Sequence, residues 1–379
     1  MKYPAKSSTP ACGLFLQAGR LVRRFFSGAL GVAAGVGATT AGGASRFVPA
    51  NDAAFVYEGR VAIGAGGSVH MAFPGVTAHL RFRGDSLNVQ VEAPKPLYFD
   101  VSVDGGAFVE LAVGPGAGFY PLVRGVGASA HTVALVRRNE SWQGVCTIRG
   151  FMLGDGAQVL PPPDLPVRKL MFIGDSVTCG ELTDFQPGRD FHDPANSDAR
   201  LSYGMILARR LSAQCHLVSY GGRGIFRDWQ GNRATGNASQ FYERALPDEP
   251  GVPWDHARYV PDAIGIQLGT NDFSPGIPAE GDFVGAYLSF IRKVRADAPK
   301  ALIFLMESPM LADNSARGPR RSVLRAYLEQ IVARSADSRV ILAPLSHAAG
   351  VPGNEHPSGR EHEAMADELE PLLRRALGW

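Results

Sequence analysis

The chain has 379 residues, of which 45% are hydrophobic and 20% charged, and its formal net charge is +2. This length and composition are typical of two or three globular domains. The balanced charge excludes the strongly basic surface of a nucleic-acid-binding protein, so we expect no nucleic-acid partner. No apolar run approaches the ~18 residues that a membrane-spanning helix needs, so we expect no membrane span.

Residues 1–45 differ in composition from the rest of the chain. They contain lysines and arginines but no acidic residue, then a Gly/Ala-rich stretch at 28–38 and small residues at 41–44. This order is typical of a signal peptide, and Arg23-Arg24 before two phenylalanines favours the twin-arginine type. We therefore predict an exported protein, periplasmic or secreted, by the twin-arginine or the general route. A disordered Gly-rich tail or a start codon assigned too far upstream are the alternatives.

Residues 47–153 are predicted to be all β. Apolar and polar residues alternate at 78–83, 87–91, 99–103 and 131–136, and residues 145–153 form a last strand. Asp104-Gly105-Gly106 is a hairpin-type turn. Short strands with Gly-rich turns every ~10 residues predict a β-sandwich or jelly roll. We expect an accessory domain with few candidates for catalysis.

Residues 154–168 are predicted to be a linker between two domains. Pro161-Pro162-Pro163 and Pro166 cannot continue a strand ladder and favour a stiff, extended connection.

From residue 169 to 379 the pattern changes to alternating strands and helices. Strands are predicted at 170–173, 216–220, 263–268, 301–306 and 339–343, and helices at 203–211, 281–295, 320–334 and 360–377. This alternation predicts an α/β domain with a doubly wound parallel sheet. A long polar loop, 181–200, and a long irregular segment, 223–258, interrupt it. An irregular segment as long as 223–258 is uncommon in a compact domain and usually functional.

Four short motifs lie at the ends of strands or just before a helix. In chain order they contribute Ser176, Gly222, Asn271 and His356. The carboxyl ends of parallel strands meet at one edge of a sheet, so we expect the first three to lie close together. A serine hydroxyl needs a base to remove its proton, and imidazole titrates near neutral pH. We predict Ser176 as the nucleophile and His356 as the base.

Each of these residues has an alternative. Gly224 could replace Gly222, and Asn271 could serve only a turn. His347 and His362 compete with His356, but only His356 is followed by proline just before a final helix. The spacing around Ser176 is not Gly-x-Ser-x-Gly, so we do not predict a standard α/β-hydrolase.

The cysteines and acidic residues near these motifs suggest no further chemistry. Cys146, Cys179 and Cys215 are an odd number outside the N-terminal segment, so no disulfide framework is indicated. No Cys/His cluster has metal-ligand spacing, so we expect neither a metal nor an organic cofactor. Asp175 and Asp272 are expected to hold loops by hydrogen bonds.

The order Ser, Gly, Asn, His resembles the SGNH (GDSL-type) hydrolase superfamily, which has a three-layer, flavodoxin-like fold. The resemblance implies that the backbone N–H groups of Ser176 and Gly222 and the amide of Asn271 bind the oxyanion. Members commonly carry Asp three, or in some relatives two, residues before the histidine. Gly353 and Asn354 stand there in this chain. The resemblance therefore implies a Ser-His dyad, with Nδ1–H held by a backbone carbonyl or by Asn354.

Over residues 55 to 378 the chain resembles carbohydrate esterase family 2, which joins a jelly roll to an SGNH domain. The similarity lies in Gly59-Arg60, Arg137–Glu140 with Gly144, Gly174–Gly180, Ser219–Ile225, Trp254, Pro261-Asp262, Leu268–Phe273 and His356-Pro357-Ser358. Where the family typically has an aromatic wall of the sugar cleft, this chain has Glu355. That departure leaves open a substrate other than xylan or glucomannan. Trp229 could replace the wall, or could simply pack in the core.

The sequence thus predicts a monomeric, exported serine esterase that removes O-acetyl groups from a poly- or oligosaccharide through an acyl-enzyme on Ser176. Two alternatives stay open. One is an SGNH lipase or thioesterase with a longer acyl pocket. The other is a catalytically weak or silent carbohydrate-binding protein.

Overall fold

The computed structural model of the protein describes residues 44–234 and 236–379. The predicted signal segment, residues 1–45, lies outside the described residues except for its last two. Within the described ranges, no helix combines the length and the apolar character that crossing a bilayer requires.

The first part of the described chain is a β-sandwich, which we call the β domain. Its strands are β1 (Arg46–Pro49), β2 (Phe55–Glu58), β3 (Ala62–Ile63), β4 (Val69–Met71), β5 (Thr77–Arg83), β6 (Ser86–Ala93), β7 (Leu97–Val103), β8 (Val109–Val113), β9 (Gly116–Arg124), β10 (Ala130–Arg137), β11 (Cys146–Leu153) and β12 (Gln158–Leu160). One sheet has the order β3-β4-β11-β6-β9, with β1 on β11. The other has the order β12-β5-β10-β7-β8, with β2 on β5. The predicted sandwich is confirmed.

The sandwich core follows from the two-residue period of its strands. In β6, Leu87, Val89, Val91 and Ala93 are buried, whereas the residues between them are partly exposed. Side chains of a strand point alternately to the two faces, so one face of β6 packs into the core and the other meets solvent.

One part of the predicted linker belongs to the sandwich instead. Within residues 154–168, strand β12 pairs antiparallel with β5, from Gln158 opposite Arg83 to Leu160 opposite Arg81. The residues before Pro161 still carry backbone N–H groups, so they can add to a sheet edge, whereas the proline run cannot. The irregular connection therefore begins at Pro161.

The second part, which we call the α/β domain, is built on a parallel sheet. Its strands are β13 (Arg168–Gly174), β14 (Ala213–Ser219), β15 (Ala263–Gln267), β16 (Leu302–Met306) and β19 (Val340–Ala343), with a small hairpin of β17 (Asp313–Asn314) and β18 (Gly318–Pro319). Its helices are α1 (Ser176–Cys179), α2 (Tyr203–Arg210), α3 (Ala238–Phe241), α4 (Glu280–Asp297), α5 (Arg320–Ser335) and α6 (Gly359–Leu377). The order β14-β13-β15-β16-β19 is the flavodoxin-like arrangement. The predicted fold class is confirmed.

Helices cover both faces of this sheet because its strands are apolar on both sides. On β13, Leu170 and Phe172 pack in the same buried cluster as residues of α2 and α6. Met171 and Ile173 pack on the opposite face with residues of α4 and α5. The strand order reverses between β13 and β15, and ligands of such sheets bind in the crevice at that reversal.

Candidate active site

Ser176 stands at the carboxyl end of β13, where the chain turns sharply into α1. A Cβ on Gly174 would overlap Thr178 Oγ1, so the turn requires glycine there. Asp175 caps the turn, and its Oδ1 accepts the N–H of Val177 at 3.1 Å. Gly180, with φ +85°, ends it. Ser176 is thereby fixed as the first residue of a helical turn that opens on the crevice.

His356 lies on the loop before α6 and faces Ser176. Its Nε2 is 2.8 Å from Ser176 Oγ. Its Nδ1 lies 2.7 Å from Asn354 Oδ1, which also accepts the backbone N–H of His356 at 3.1 Å. An amide oxygen only accepts hydrogen bonds, so Nδ1 carries the hydrogen and Nε2 is the acceptor for the serine hydroxyl. Of the two predicted partners of Nδ1–H, the structure has Asn354.

The competing histidines lie away from Ser176. His347 Nδ1 is bonded to the carbonyl of Pro309 at 2.6 Å. His362 is buried in α6, accepts the N–H of Tyr203 at 3.1 Å and stacks on the ring of Tyr203. Glu355, beside His356 in sequence, is 64% exposed and lies 3.5 Å from Arg317.

Gly222 and Asn271 line the same cleft as Ser176 and His356. Asn271 Nδ2 donates to the carbonyl of Arg223 at 2.9 Å and lies 3.4 Å from Asp175 Oδ2. Within residues 44–234 and 236–379, the N–H groups of Ser176 and Gly222 donate to no protein acceptor. The three predicted oxyanion donors therefore share one cavity, and their catalytic roles remain predictions.

Gly222 and Gly224 were the two candidates for the glycine of the active site, and their surroundings distinguish them. Gly222 has φ +77° and lines the cleft, and its carbonyl accepts the N–H of Trp229 at 3.0 Å. Gly224 packs on Asp272 so closely that an added Cβ would overlap the Asp272 carboxylate. Gly222 is the glycine at the candidate site, and Gly224 is the glycine that allows the loop to close on Asp272.

Asp272 and Asp175 hold loops, as expected. Asp272 accepts the backbone N–H groups of Ile225, Phe226 and Arg227 at 2.9 to 3.2 Å. Burial raises the pKa of Asp272 to about 6 and that of Asp175 to about 7, although hydrogen bonds to each carboxyl oppose the shift. Both are buried, and neither contacts the ring of His356.

Glu181 is a carboxylate at this site that the sequence did not single out. Its Oε2 lies 3.1 Å from His356 Nε2, the same nitrogen that faces Ser176. Burial opposes the charge of Glu181, but the imidazole of His356 outweighs it and lowers the pKa of the carboxyl. Its position directly after Gly180 was the available signal, since that glycine turns the chain back toward Ser176.

The cleft has a volume of about 640 Å³ and is walled by two tryptophans. Trp229 is 55% exposed, so it lines the cleft and does not pack in the core. Trp142 comes from the β domain, in the turn between β10 and β11, and is 39% exposed. The expectation that the β domain offers few candidates for catalysis stays a prediction, and Trp142 is the residue by which this domain lines the cleft. The other residues at the cleft are Ser176, Glu181, His192, Tyr220, Gly221, Gly222, Arg223, Asp228, Gln230, Thr270, Asn271, Met310 and His356.

A separate cluster of potential metal ligands lies outside the cleft. Among the described residues, Glu243, His256 and Asp297 bring three ligand atoms within 4.8 Å of one another. Lys293 Nζ lies 2.6 Å from Glu243 Oε1 and 3.9 Å from Asp297 Oδ2, so an ammonium group already pairs with both carboxylates. Cys146, Cys179 and Cys215 are buried thiols outside any disulfide.

Two family models match the chain. Carbohydrate esterase 2 N-terminal matches residues 57–163, and the GDSL-like Lipase/Acylhydrolase family matches residues 172–372. An acetylxylan esterase / glucomannan deacetylase from Cellvibrio japonicus is 35% identical over 334 residues, which are 88% of this chain and 91% of that protein. The cellulase/esterase CelE of Acetivibrio thermocellus is 31% identical over 86% of this chain, but that match spans only 40% of CelE.

Solved structures resemble most of the chain. A family two carbohydrate esterase from Cellvibrio japonicus superposes with a TM-score of 0.84 at 34% identity, covering 89% of this chain and 99% of that one. A family two carbohydrate esterase from Clostridium thermocellum, in complex with cellohexaose, superposes with a TM-score of 0.80 at 30% identity, covering 86% of this chain and 99% of that one. These similarities extend over the β domain and the α/β domain together.

Proposed function

The chain belongs to carbohydrate esterase family 2, and from this membership we propose that it hydrolyses O-acetyl esters of a polysaccharide, such as xylan or glucomannan, with Ser176 as the nucleophile and His356 as the base. The observation that carries the proposal is the 2.8 Å contact between Ser176 Oγ and His356 Nε2 inside the open cleft. A hydroxyl at this distance from an unprotonated ring nitrogen is activated for attack.

In the acylation step, an Oγ lone pair of Ser176 forms a bond to the acetyl carbon while the hydroxyl proton moves to Nε2 of His356. The carbonyl π electrons move onto the oxygen, and the N–H groups of Ser176 and Gly222 and the amide of Asn271 stabilise that charge. When the C=O bond re-forms, the ester C–O bond breaks and the sugar oxygen takes the proton from Nε2. The sugar leaves and an acetyl group remains on Ser176.

In the second step, water replaces the sugar. His356 removes a proton from the water, whose oxygen attacks the acetyl carbon, and the same donors stabilise the oxyanion. Collapse of this intermediate breaks the bond to Oγ, which takes the proton back from Nε2. Acetic acid leaves and ionises to acetate in solution, and the enzyme returns to its starting state.

The walls of the cleft favour a carbohydrate over a long acyl chain. Trp142 and Trp229 present partly exposed rings, on which the apolar face of a sugar can stack. Polar side chains, including His192, Asp228 and Gln230, also line the cleft and suit sugar hydroxyls. A long hydrocarbon would have to desolvate these groups without hydrogen-bonding them.

The test compares the wild type with Ser176→Ala and His356→Ala, and measures acetate released from acetylated xylan, acetylated glucomannan and an aryl acetate. Each variant is expected to lose activity by about 10³-fold or more, since members of such a constellation act as a unit. Ser289→Ala, an exposed serine on α4, is the matched control and should keep wild-type activity.

Three results would contradict this assignment. If Ser176→Ala retains wild-type turnover, Ser176 is not the nucleophile. If octanoyl esters are hydrolysed faster than acetyl esters, the lipase or thioesterase alternative is favoured. If the wild type and Ser176→Ala bind a glycan equally and neither releases acetate at any pH, the protein is a carbohydrate-binding module.

We further propose that the protein is exported and acts as a monomer. Export rests on the basic, Gly/Ala-rich and small-residue order of residues 1–45. Fractionation of cells that express the full chain, with and without Arg23 and Arg24 replaced by lysine, tests the location and the route. Light scattering of the purified protein tests the monomer.

A further inference from the structure

We propose that Glu181 is a positioning residue that supplies, from the Nε2 side of His356, the negative charge that no carboxylate supplies at Nδ1. The inference rests on the proposed roles of Ser176 and His356. It answers a chemical question that those roles leave open, namely what stabilises the imidazolium that forms when the serine gives up its proton.

The backbone places Glu181 by the same turn that places Ser176. Its N–H donates to the carbonyl of Ser176 at 3.1 Å. The preceding Gly180 has φ +85°, and a Cβ there would lie 2.8 Å from the carbonyl oxygen of Asp198. Ser176 and Glu181 therefore belong to one rigid turn. The backbone fixes the distance between their Cα atoms, and only the side chain of Glu181 can adjust the position of the carboxylate.

The geometry around the ring leaves one site for a stabilising charge. Nδ1 is occupied by the neutral amide of Asn354 at 2.7 Å, and Nε2 faces both Ser176 Oγ at 2.8 Å and Glu181 Oε2 at 3.1 Å. In the neutral ring, the Nε2 lone pair accepts the serine hydroxyl, and the carboxylate oxygen 3.1 Å away faces a second acceptor, which is unfavourable. Protonation of Nε2 turns that contact into an attraction, so Glu181 favours the imidazolium.

The pKa shifts of the pair agree with this arrangement. Burial lowers the basicity of His356, but the charge of Glu181 outweighs burial and the pKa of the ring is raised. Conversely, His356 outweighs the burial of Glu181 and lowers the pKa of the carboxyl. The side chain of Glu181 is only 20% exposed, so solvent screens the pair weakly.

Other charged groups near the pair come from several elements. Asp175, at the start of α1, adds to the effect of Glu181, as does Glu355, although Glu355 is exposed and lies 3.5 Å from Arg317. His192 faces Glu181 and helps to keep it ionised. Burial and then the charge of Glu181 raise the pKa of Glu140 in the β domain, and burial lowers the pKa of His362 on α6 to about 3. His362 is therefore uncharged near neutral pH.

Glu181 takes no proton during the reaction. The O–H bond of Ser176 breaks as its oxygen attacks the acetyl carbon, and the proton moves to Nε2. The charge of Glu181 pairs with the new imidazolium until Nε2 passes the proton to the leaving sugar oxygen. The carboxylate therefore lowers the energy of the state between these two transfers.

The experiment measures kcat and KM for an aryl acetate across pH for Glu181→Gln, Asn354→Asp and the double variant. In Glu181→Gln we expect the high-pH plateau of kcat/KM to fall by about 10- to 100-fold. The base works only when it is neutral, so activity rises with pH through the pKa of His356. Without the carboxylate that pKa is lower, and the rise should move to lower pH.

Rescue separates this role from a structural one. In the double variant, the carboxylate introduced by Asn354→Asp accepts Nδ1–H, so the plateau should recover and the rise in activity should move back to higher pH. Glu329→Gln, an exposed glutamate on α5, is the control for the substitution itself and should match the wild type. Thermal unfolding of each variant reports on the fold.

Each of three results would overturn the inference. One is a Glu181→Gln profile that matches the wild type. Another is a Glu181→Gln profile whose rise moves to lower pH while its high-pH value of kcat/KM is unchanged or higher. That result would mean that the carboxylate raises the pKa of His356 in the free enzyme but does not assist the reaction. The third is an increase in KM alone, which would make Glu181 a substrate contact. In each of these three cases the Ser176→Ala variant is still expected to be inactive. If the proposed function itself is wrong, Ser176→Ala keeps its activity, so the two failures can be told apart.

Discussion

Asn271 is held in a fixed orientation before any substrate arrives. Its side chain is buried, and its amide nitrogen donates to the carbonyl of Arg223 at 2.9 Å. The contact with Asp175 Oδ2 is longer, at 3.4 Å, so the second N–H is only weakly engaged and is the one that can bond an oxyanion in the cleft. A donor that is already oriented stabilises the transition state without reorganisation.

Asn271→Ala is therefore expected to lower kcat by about 10²- to 10³-fold with little change in KM. The reason is that the amide bonds the oxygen only when it carries the developing negative charge. Asn271→Asp keeps the shape but replaces the donor by a negative charge, so it should be at least as inactive. Steady-state kinetics with an aryl acetate check both, and an alanine variant with wild-type kcat would rule Asn271 out as an oxyanion donor.

The sequence predicted those residues of the candidate site that follow a recognisable strand. Ser176, Gly222 and Asn271 each follow an apolar strand, and the convergence of parallel strand ends is a property of the fold class. Glu181 does not follow a strand, and its one local signal is Gly180 before it. Its contact with His356 joins residues that are far apart in the chain and depends on how the loop before α6 returns to the sheet. The partner of Nδ1 was narrowed to two alternatives, and only the folded chain distinguishes Asn354 from a backbone carbonyl.

At the scale of elements, the loop 181–200 depends on the β domain for its position. Arg138, which follows β10, is buried and lies 2.6 Å from Asp184 Oδ2 and 2.7 Å from Glu110 Oε2. The neighbouring Asn139 donates to the carbonyl of Pro194 at 2.9 Å. These contacts hold the loop that begins at Glu181, so the β domain supports the candidate site indirectly as well.

Arg138→Met is expected to lower the free energy of unfolding by about 1.5–3 kcal/mol, because the buried carboxylate of Asp100, 3.3 Å from Arg138, loses one of its two cations and keeps only Arg200. Arg149→Met is the matched control. Arg149 also pairs with a carboxylate, Glu92, but both side chains are nearly half exposed, so its loss should cost about 0–1 kcal/mol. Denaturant unfolding of the two variants measures the difference. Equal losses would show that Arg138 does not hold the loop through a buried ion pair.

The prediction of elements succeeded where burial imposes a clear period. Strand β6 alternates strictly between buried and partly exposed residues, and β5 does so from Ala78 onward. In β7 the alternation is in the sequence from Phe99 to Val103, although residues 99–102 are all buried. All three strands were predicted within a few residues. Strands β8 and β9 were missed, since most of their residues are exposed and β9 is rich in glycine, which removes the alternating signal. The terminal helix α6 was predicted well because its buried residues Met365, Leu369 and Leu373 keep a helical spacing.

At the scale of the whole molecule, the two domains form one cleft. Trp142 of the β domain lines it, with Lys95 Nζ 4.8 Å above its ring. The adjacent Ser141 donates from Oγ to the carbonyl of Ser219 at 2.6 Å, at the end of β14. The sequence placed the β domain as an accessory unit because Trp142 lies in a turn with no local pattern, and only the packing of the two domains brings it to the cleft.

If Trp142 binds sugar rings, Trp142→Ala should raise KM for acetylated xylan or glucomannan by about 3- to 10-fold, the loss of one aromatic stacking contact. It should leave the kinetics of a small aryl acetate unchanged, because that substrate reaches Ser176 without extending to the β domain. Phe119→Ala is the control, since Phe119 is an exposed aromatic residue of the same domain that lies outside the cleft. Calorimetric titration of the polysaccharide into the Ser176→Ala protein, with and without Trp142→Ala, separates binding from turnover. Equal affinities in that pair would show that the β domain does not contact the substrate through Trp142, and the cleft would then bind sugar through the α/β domain alone.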